Sequence, residues 1–268
     1  KTLTMNCNPN SLADAGRTKP NTTMRTKLPK LSPSYLLHED ANVFIVASSK
    51  SSNVKTGDMI QIWILDNTRH PAQSRWDKHD ASNQCKGCVL ASGNGCYVNT
   101  NPLSTIYRKH KSDNPYPQLV AGSLEFRRFF SGKKVRFGAY GNPSMIPLPL
   151  TQSIAKLASK WTGYFHDWHM MSPDDARAYG KYFMASCEST NYQDAQALGL
   201  RTFTTVVNTP DDKQTGMECL ADSHGMQCAE CGLCDGTNRR DGKLPNVWIK
   251  VHGYQTKKAS VATTKSAI

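Results

Sequence analysis

Cysteine placement constrains this chain more than any other feature, because seven of its nine cysteines fall in two short segments. Clustered cysteines in a chain without a secretion signal are typical of metal or redox sites, since disulfides are rare in reducing compartments. The first cysteine loop contains Cys85, Cys88 and Cys96, and the second contains Cys219, Cys228, Cys231 and Cys234. Cys7 and Cys187 stand alone. The sequence therefore predicts two metal-binding loops, at 85–96 and 219–234.

The second cysteine loop has the spacing Cys219-x8-Cys228-x2-Cys231-x2-Cys234. In bacterial ferredoxins a tight C-x2-C-x2-C run supplies three ligands of a cubane cluster, and a remote cysteine supplies the fourth. The spacing thus favours a [4Fe–4S] cluster held by four thiolates. Structural zinc is the alternative, although such sites more often use two separated cysteine pairs.

The first cysteine loop, Cys85-x2-Cys88-x7-Cys96, offers three thiolates with no fourth beside them. A cluster held by three cysteines leaves one iron open to an outside ligand, so this loop predicts a second [4Fe–4S] cluster that acts on a small molecule. The alternative is zinc completed by His79 or Cys187. A single site shared by both cysteine loops also stays open.

Much of the formal net charge of +12 lies at the two ends of the chain. Residues 1–35 contain six Lys or Arg against one Asp, a net of +5, and residues 254–268 contain three Lys and no acid. We therefore predict an extended basic arm over 1–36, a single α/β metal-binding domain over 37–253 and a basic tail over 254–268. The basic arms suit a nucleic-acid or protein partner, and solvated tails are the alternative.

No apolar run is long enough for a membrane span, and the polar N-terminal segment is unlike a signal peptide. We expect no membrane partner and a cytoplasmic location in a bacterial host. The sequence identifies no small-molecule substrate, catalytic residue or oligomeric state.

Hydrophobic patterning predicts an N-terminal β-hairpin followed by alternating strands and helices. The hairpin strands are Asn42–Ser48 and Met59–Leu65. Further strands are predicted at Val135–Tyr140, Gly163–Trp168, Tyr182–Ser186, Arg201–Val207 and Asn246–His252. Helices are predicted over Thr151–Trp161, after a capping Ser172, and from Ser189 or Thr190 to Gly199. This alternation favours an α/β fold, either a partial (β/α) barrel or a curled parallel sheet, with two cysteine-rich metal loops.

Seven segments carry a family resemblance over most of 42–253. They are NVKTGDMIQIWIL (53–65), CKGCVLASGNGCYVNTNPLSTIYR (85–108), RFGAYGNPSMIP (136–147), GYFHDWH (163–169), ALGLRTF (197–203), CAECGLCDG (228–236) and VHG (251–253). Together they resemble cysteine-rich proteins encoded by bacteriophages and plasmids. The resemblance implies a bacteriophage setting and names no activity.

Gly141, Asn142 and Pro143 follow the strand VRFGAY, one element after the first cysteine loop. This arrangement distantly resembles radical S-adenosylmethionine enzymes, in which a three-cysteine loop follows the first strand of a partial barrel. In that family a Gly-Gly-Glu-Pro turn after the second strand contacts the amino group of the cofactor. The resemblance implies that Gly141, Asn142 and Pro143 bind S-adenosylmethionine. The chain departs from the family in its C-x2-C-x7-C spacing and in Asn142, which replaces the acid; an ordinary Gly/Pro turn is the alternative.

Two functions follow from these patterns. The first is an iron–sulfur protein of radical-SAM-like architecture, with redox or radical chemistry on an unknown substrate. The alternative is a zinc-stabilised phage protein that binds nucleic acid or protein without catalysis. Whether the chain is an enzyme stays open between them.

Overall fold

The computed structural model of the chain describes residues 28–49, 53–74, 84–91, 93–96, 98–99, 101–210, 215–237, 244–253 and 255–265. The chain divides into residues 1–30 and a second unit that begins at Leu31, and all the strands and helices below belong to this second unit. Cys7, His79 and most of the predicted basic arm lie outside the described residues. The arm's predicted end overlaps the first strand, which begins at Ser34.

The first sheet combines an antiparallel hairpin with parallel strands. Its strands are β1 (Ser34–Glu39), β2 (Val43–Ser48), β3 (Ile60–Asp66), β4 (Lys134–Tyr140) and β5 (Lys160–Thr162), adjacent in that order. β1, β2 and β3 pair antiparallel, whereas β3, β4 and β5 pair parallel. The predicted hairpin is confirmed.

The second sheet is wholly parallel. Its strands are β6 (Tyr164–Phe165), β7 (Met184–Glu188), β8 (Thr202–Val206), β9 (Met217–Glu218) and β10 (Val247–Lys250), in the order β6-β7-β8-β10-β9. Only Gly163 separates β5 from β6, so one short stretch of chain contributes to both sheets. The mixed α/β class with parallel strands is confirmed, and the strands of the described residues form no closed barrel.

Nine helices surround these strands in the described residues. They are α1 (Pro71–Ser74), α2 (Asn101–His110), α3 (Leu124–Phe130), α4 (Leu148–Leu157), α5 (Pro173–Gly180), α6 (Tyr192–Ala197), α7 (Leu220–Ser223), α8 (Cys228–Cys231) and α9 (Thr256–Lys265). Ser172 caps α5 as predicted, because its hydroxyl accepts a hydrogen bond from the Asp175 amide at 3.1 Å. The helix predicted to reach Trp161 ends instead at Leu157, since Trp161 belongs to β5.

The first sheet is buried on both faces, which explains the nearly continuous apolar runs of β2 and β3. Ile45, Ile62 and Ile64 face the main core, together with aromatic residues of β4, β6 and the segment before β7. Phe44 and Leu65 face the opposite side, where they form a smaller cluster with Leu103 of α2. Cys85 packs against this smaller cluster. The first cysteine loop therefore packs on the face of the first sheet that lies opposite the main core.

The segment predicted as a basic tail contains α9, which packs against the first cysteine loop. The Gln255 side-chain amide donates to the Cys96 carbonyl at 3.0 Å, and Ala259 is buried. A Cβ at Gly95 would lie 2.6 Å from the Ala259 backbone nitrogen. The small residues at these two positions allow the close approach. Charge alone did not reveal this contact, because it is made by Gln255 and Ala259, whereas Lys257 and Lys258 are exposed.

Candidate metal centre

Two backbone contacts with the β2–β3 connection hold the middle of the second cysteine loop. The Cys228 amide donates to the Lys55 carbonyl at 3.0 Å, and the Ala229 amide donates to the Thr56 carbonyl at 3.1 Å. Further along, the Cys234 carbonyl accepts from the Gly163 amide at 3.0 Å, at the junction of the two sheets. The loop is therefore fixed to the body at both of these cysteines.

Arg201 binds the end of the second cysteine loop through hydrogen bonds and an ion pair. Its guanidinium donates to the carbonyls of Leu233 at 2.8 Å and Gly236 at 2.7 Å, and it forms an ion pair of 3.2 Å with Asp235. A fourth hydrogen bond, of 2.6 Å, reaches the Pro245 carbonyl before β10. Both charged side chains are buried, so this network ties the loop to the start of β8.

The four thiols of the second cysteine loop line one cavity of about 370 Å³. Its walls are completed by Thr162 and Tyr164 at the junction of the sheets, by Val247 of β10 and by apolar and acidic residues of the loop itself. All eight described cysteines, these four included, are present as thiols without disulfide bonds. The structure thus brings together all four cysteines that the spacing predicted as one ligand set.

The thiols surround a space and do not converge on a point. Within the described ranges, no group of three His, Cys, Asp or Glu side chains is close enough to hold a single metal ion. Metal binding by the two predicted loops is therefore not confirmed and stays a prediction. What the structure provides is a walled cavity with sulfur atoms on its lining.

Burial dominates the electrostatics of this cavity. It raises the pKa of Cys234, and the charges of the other three cysteines of the loop raise it further. Burial likewise raises the pKa of Cys228, although the nearby Arg136 guanidinium opposes that effect. Neutral thiols are therefore favoured, and binding a metal, which requires thiolates, would release protons. Positive charge is close by, since the Lys160 ammonium also donates to the Glu230 carbonyl at 2.9 Å.

The first cysteine loop lies over the carboxyl ends of β4 and β6. The Asn142 amide, just after β4, donates to the Gln84 carbonyl at 2.7 Å. A Cβ at Gly87 would lie 2.8 Å from the Asp167 Cα, just after β6, so glycine permits this contact. Ligands of parallel α/β proteins commonly bind at this edge of the sheet.

The three thiols of the first cysteine loop meet different neighbours. Cys85 packs in the same apolar cluster as Tyr140, and burial together with the charges of Cys85 and Cys96 raises the pKa of that tyrosine. The Tyr140 hydroxyl accepts a hydrogen bond from the Gln84 side-chain amide at 3.0 Å. The Cys88 thiol lies near Glu188 at the end of β7; burial raises the pKa of Cys88 to about 11, and the Glu188 charge adds to this effect. The structure pairs Cys85 with Cys96 at one tyrosine and directs Cys88 towards another strand.

Asn142 is fully buried and its amide is engaged within the chain. The side-chain nitrogen donates to the Lys86 carbonyl at 3.3 Å, and the side-chain oxygen accepts from the His166 amide at 3.2 Å. The same oxygen caps the short 3-10 turn Pro143–Met145. Gly141 has a φ of +83°, and a Cβ there would lie 2.5 Å from the Ile64 carbonyl oxygen. Residues Gly141 and Asn142 therefore contact the first cysteine loop, β3 and the residue after β6. Binding of a cofactor by Gly141, Asn142 and Pro143 stays a prediction.

Three polar residues beside the first cysteine loop were not predicted as site residues. Asp167 accepts a hydrogen bond of 2.8 Å from the Ser144 hydroxyl. Burial raises the pKa of Glu188 and lowers that of His166. His166 and Asp167 directly follow β6, and Glu188 is the last residue of β7. These positions were the available signal, because polar groups at the carboxyl ends of parallel strands commonly serve a site.

The strand predicted at Gly163–Trp168 is shorter in the structure, because β6 ends at Phe165. Tyr164 packs against the second cysteine loop, whereas Trp168 belongs to the main core. Cys187, considered as a fourth zinc ligand, is also buried in the main core, where its thiol donates to the Ala185 carbonyl at 3.5 Å.

Comparison of the chain with protein-family descriptions, curated proteins and solved structures finds no match. In the part of the chain that the structure describes, no helix is both long and apolar enough to cross a membrane.

Proposed function

We propose that this chain is an iron–sulfur protein whose [4Fe–4S] cluster is bound by Cys219, Cys228, Cys231 and Cys234. One observation carries the proposal: four thiols with ferredoxin-like spacing line a single cavity of about 370 Å³. The sequence spacing and the lining of the cavity involve the same four residues.

The size of the cavity favours a cluster over a single ion. Tetrahedral zinc, with Zn–S bonds of about 2.3 Å, draws its sulfur ligands to about 3.8 Å from one another. A cubane has an iron at each of four corners and keeps its sulfur ligands further apart. Four thiols spread over the walls of a cavity suit the larger group.

Charge near the cavity also suits a cluster with four thiolate ligands, which is anionic. Arg136 acts on the Cys228 thiol, and Lys160 reaches the carbonyl of Glu230 between Cys228 and Cys231. Cationic side chains beside the ligands favour thiolates over thiols. When bound, the cluster supplies one-electron transfer.

The chain's own residues hold the ligands in position. Lys55 and Thr56 fix the backbone at Cys228, while Gly163 and Arg201 fix the backbone around Cys234. Such support around a metal site orients the ligands and limits their motion.

We further infer a radical-SAM-like architecture, in which the parallel strands β3, β4 and β5 of the first sheet are followed by the parallel strands of the second sheet through the shared stretch 160–165. Its support is the order of elements: the first cysteine loop follows β3 and lies over the carboxyl ends of the next strands. A second cluster on Cys85, Cys88 and Cys96 belongs to this proposal. S-adenosylmethionine is not part of this proposal, because the Asn142 side chain is buried and hydrogen-bonded to Lys86 and His166.

Purification without oxygen tests the proposal. We expect a brown protein that absorbs near roughly 400 nm and contains iron and acid-labile sulfide. Cys228→Ser is expected to lower the iron content, whereas Cys187→Ala, which removes a core thiol, is expected to retain it.

Two results would contradict the proposal. Colourless protein with stoichiometric zinc would favour the alternative, a zinc-stabilised protein that binds nucleic acid or another protein. Iron content that Cys228→Ser leaves at the level of Cys187→Ala would separate the iron from the second cysteine loop.

A further inference from the structure

Each cysteine loop has a tyrosine that packs beside one of its cysteines. Tyr164, in β6, packs against Cys234, and Tyr140, at the end of β4, lies beside Cys85. The two tyrosines lie on different strands and belong to different apolar clusters. The same local arrangement thus occurs twice, once at each predicted ligand set.

We propose that Tyr164 is a positioning residue that donates a hydrogen bond to the Cys234 sulfur and raises the reduction potential of the cluster bound there. The inference rests on the proposed function, since it concerns a cluster on the second cysteine loop. Tyr140 has the corresponding place at Cys85.

The surroundings of Tyr164 direct its hydroxyl hydrogen to the sulfur. The Thr162 hydroxyl donates to the Tyr164 oxygen at 3.3 Å, so the tyrosine oxygen acts as the acceptor in that bond. Its own hydrogen is left for Cys234, which lies in the apolar cluster that Tyr164 packs against and lines the same cavity. The ring packs on Phe203 with 4.3 Å between centroids, and this contact holds the hydroxyl in place.

Tyr140 repeats the arrangement with a different donor. The Gln84 side-chain amide donates to the Tyr140 oxygen at 3.0 Å and also to the Ser74 hydroxyl at 2.8 Å. Gln84 is fully buried, so its amide is held on these two acceptors. The Tyr140 oxygen thus accepts a hydrogen bond from Gln84, and its own hydrogen is left for the Cys85 sulfur.

A hydrogen bond to a ligand sulfur withdraws negative charge from the cluster. The reduced cluster carries one more electron than the oxidised cluster, so the bond stabilises the reduced form more. Hydrogen bonds to the sulfurs are among the features that set cluster potentials. Removing the hydroxyl should therefore make the cluster harder to reduce.

The test is a redox titration of the purified holoprotein, followed by the electron paramagnetic resonance signal of the reduced cluster. At the wild-type midpoint potential, we expect Tyr164→Phe to lower the ratio of reduced to oxidised cluster about threefold. For a one-electron couple, at 59 mV per factor of ten, this corresponds to a midpoint shift of about −28 mV.

Tyr179→Phe is the matched control, because the Tyr179 hydroxyl donates to the Ile146 carbonyl at 3.1 Å and not to a cysteine. It is expected to leave the potential unchanged. Iron and sulfide are measured in each variant. A Tyr164→Phe protein that keeps its cluster and has the potential of the control would overturn the role of Tyr164 alone. Wild-type protein without iron would overturn this inference together with the proposed function.

Discussion

Replacing Arg201 by methionine should strongly destabilise the protein and release the end of the second cysteine loop. The substitution keeps most of the side-chain length and removes the hydrogen bonds of the guanidinium to Asp235 and to three carbonyls. Asp235, which is 2% exposed, would be left as a buried carboxylate without its cation. Breaking a buried ion pair by removing one partner costs about 3–5 kcal/mol.

Urea unfolding measures this cost. With an m value of about 3 kcal/mol/M, a loss of about 4 kcal/mol lowers the unfolding midpoint by about 1.3 M. Alkylation of Cys234 in the metal-free protein reports the local effect, and it should become faster in Arg201→Met.

Arg177→Met is the matched control. Arg177 forms an ion pair of 3.1 Å with Asp174, but the two side chains are 52% and 96% exposed. Exposed pairs contribute little, so we expect a loss of about 0.5 kcal/mol. A second comparison removes both buried charges: Arg201→Met with Asp235→Leu should recover part of the stability, because no buried charge then lacks a partner.

Unfolding midpoints of Arg201→Met and Arg177→Met that agree within error would contradict this role of Arg201. An unchanged rate of Cys234 alkylation in Arg201→Met would contradict it as well. Either result would mean that the buried network does not hold the second cysteine loop.

Three further predictions concern the metal, the sheet junction and an ion pair. Cys231→Ser should disorder the second cysteine loop, because the loop has little apolar content to order it without metal; limited proteolysis should then cleave it faster than in the wild type, and equal resistance would count against metal-coupled folding. Gly163→Ala should cost about 1–3 kcal/mol in thermal unfolding, because a Cβ would lie 2.7 Å from the Phe183 ring; an unchanged melting temperature would contradict this contact. Burial raises the pKa of Glu39, but the hydrogen bond and charge of His110 outweigh it and lower the pKa below the ordinary 4.5. Because Glu39 is 39% exposed, Glu39→Gln should cost only about 0.5 kcal/mol at pH 7. A lowered pKa of Glu39 stabilises the fold above pH 4.5, and this stabilisation is lost as the pH falls from 4.5 through the pKa of the folded state. The difference in unfolding free energy between Glu39→Gln and the wild type should therefore vanish in acid. A difference that persisted there would contradict the ion pair with His110.

Much of the fold was predictable because strand signals are local. The apolar run of β2, the β-branched run of β8 and the Ser172 cap were each read from a few neighbouring residues, and each lies within about two residues of its predicted place. The grouping of the four cysteines of the second cysteine loop was likewise predictable from spacing, and the structure places them around one cavity. Their binding of a metal stays a prediction.

The contacts that were not predictable join residues distant in sequence. Arg201 bonds to carbonyls more than thirty residues away, and Gly95 packs on Ala259 in a segment that charge alone marked as a tail. Asn142 was assigned to a cofactor from its turn motif, yet its side chain bonds to Lys86 and His166. Tertiary packing decides such partners, and a local pattern does not contain them.

Anomalous diffraction from anaerobically grown crystals, recorded at the iron and zinc absorption edges, tests the central claim most directly. We predict a strong peak at the iron edge inside the cavity, surrounded by the sulfur atoms of Cys219, Cys228, Cys231 and Cys234. A peak that appears only at the zinc edge, or disulfide bonds among these cysteines with no anomalous peak between them, would contradict it.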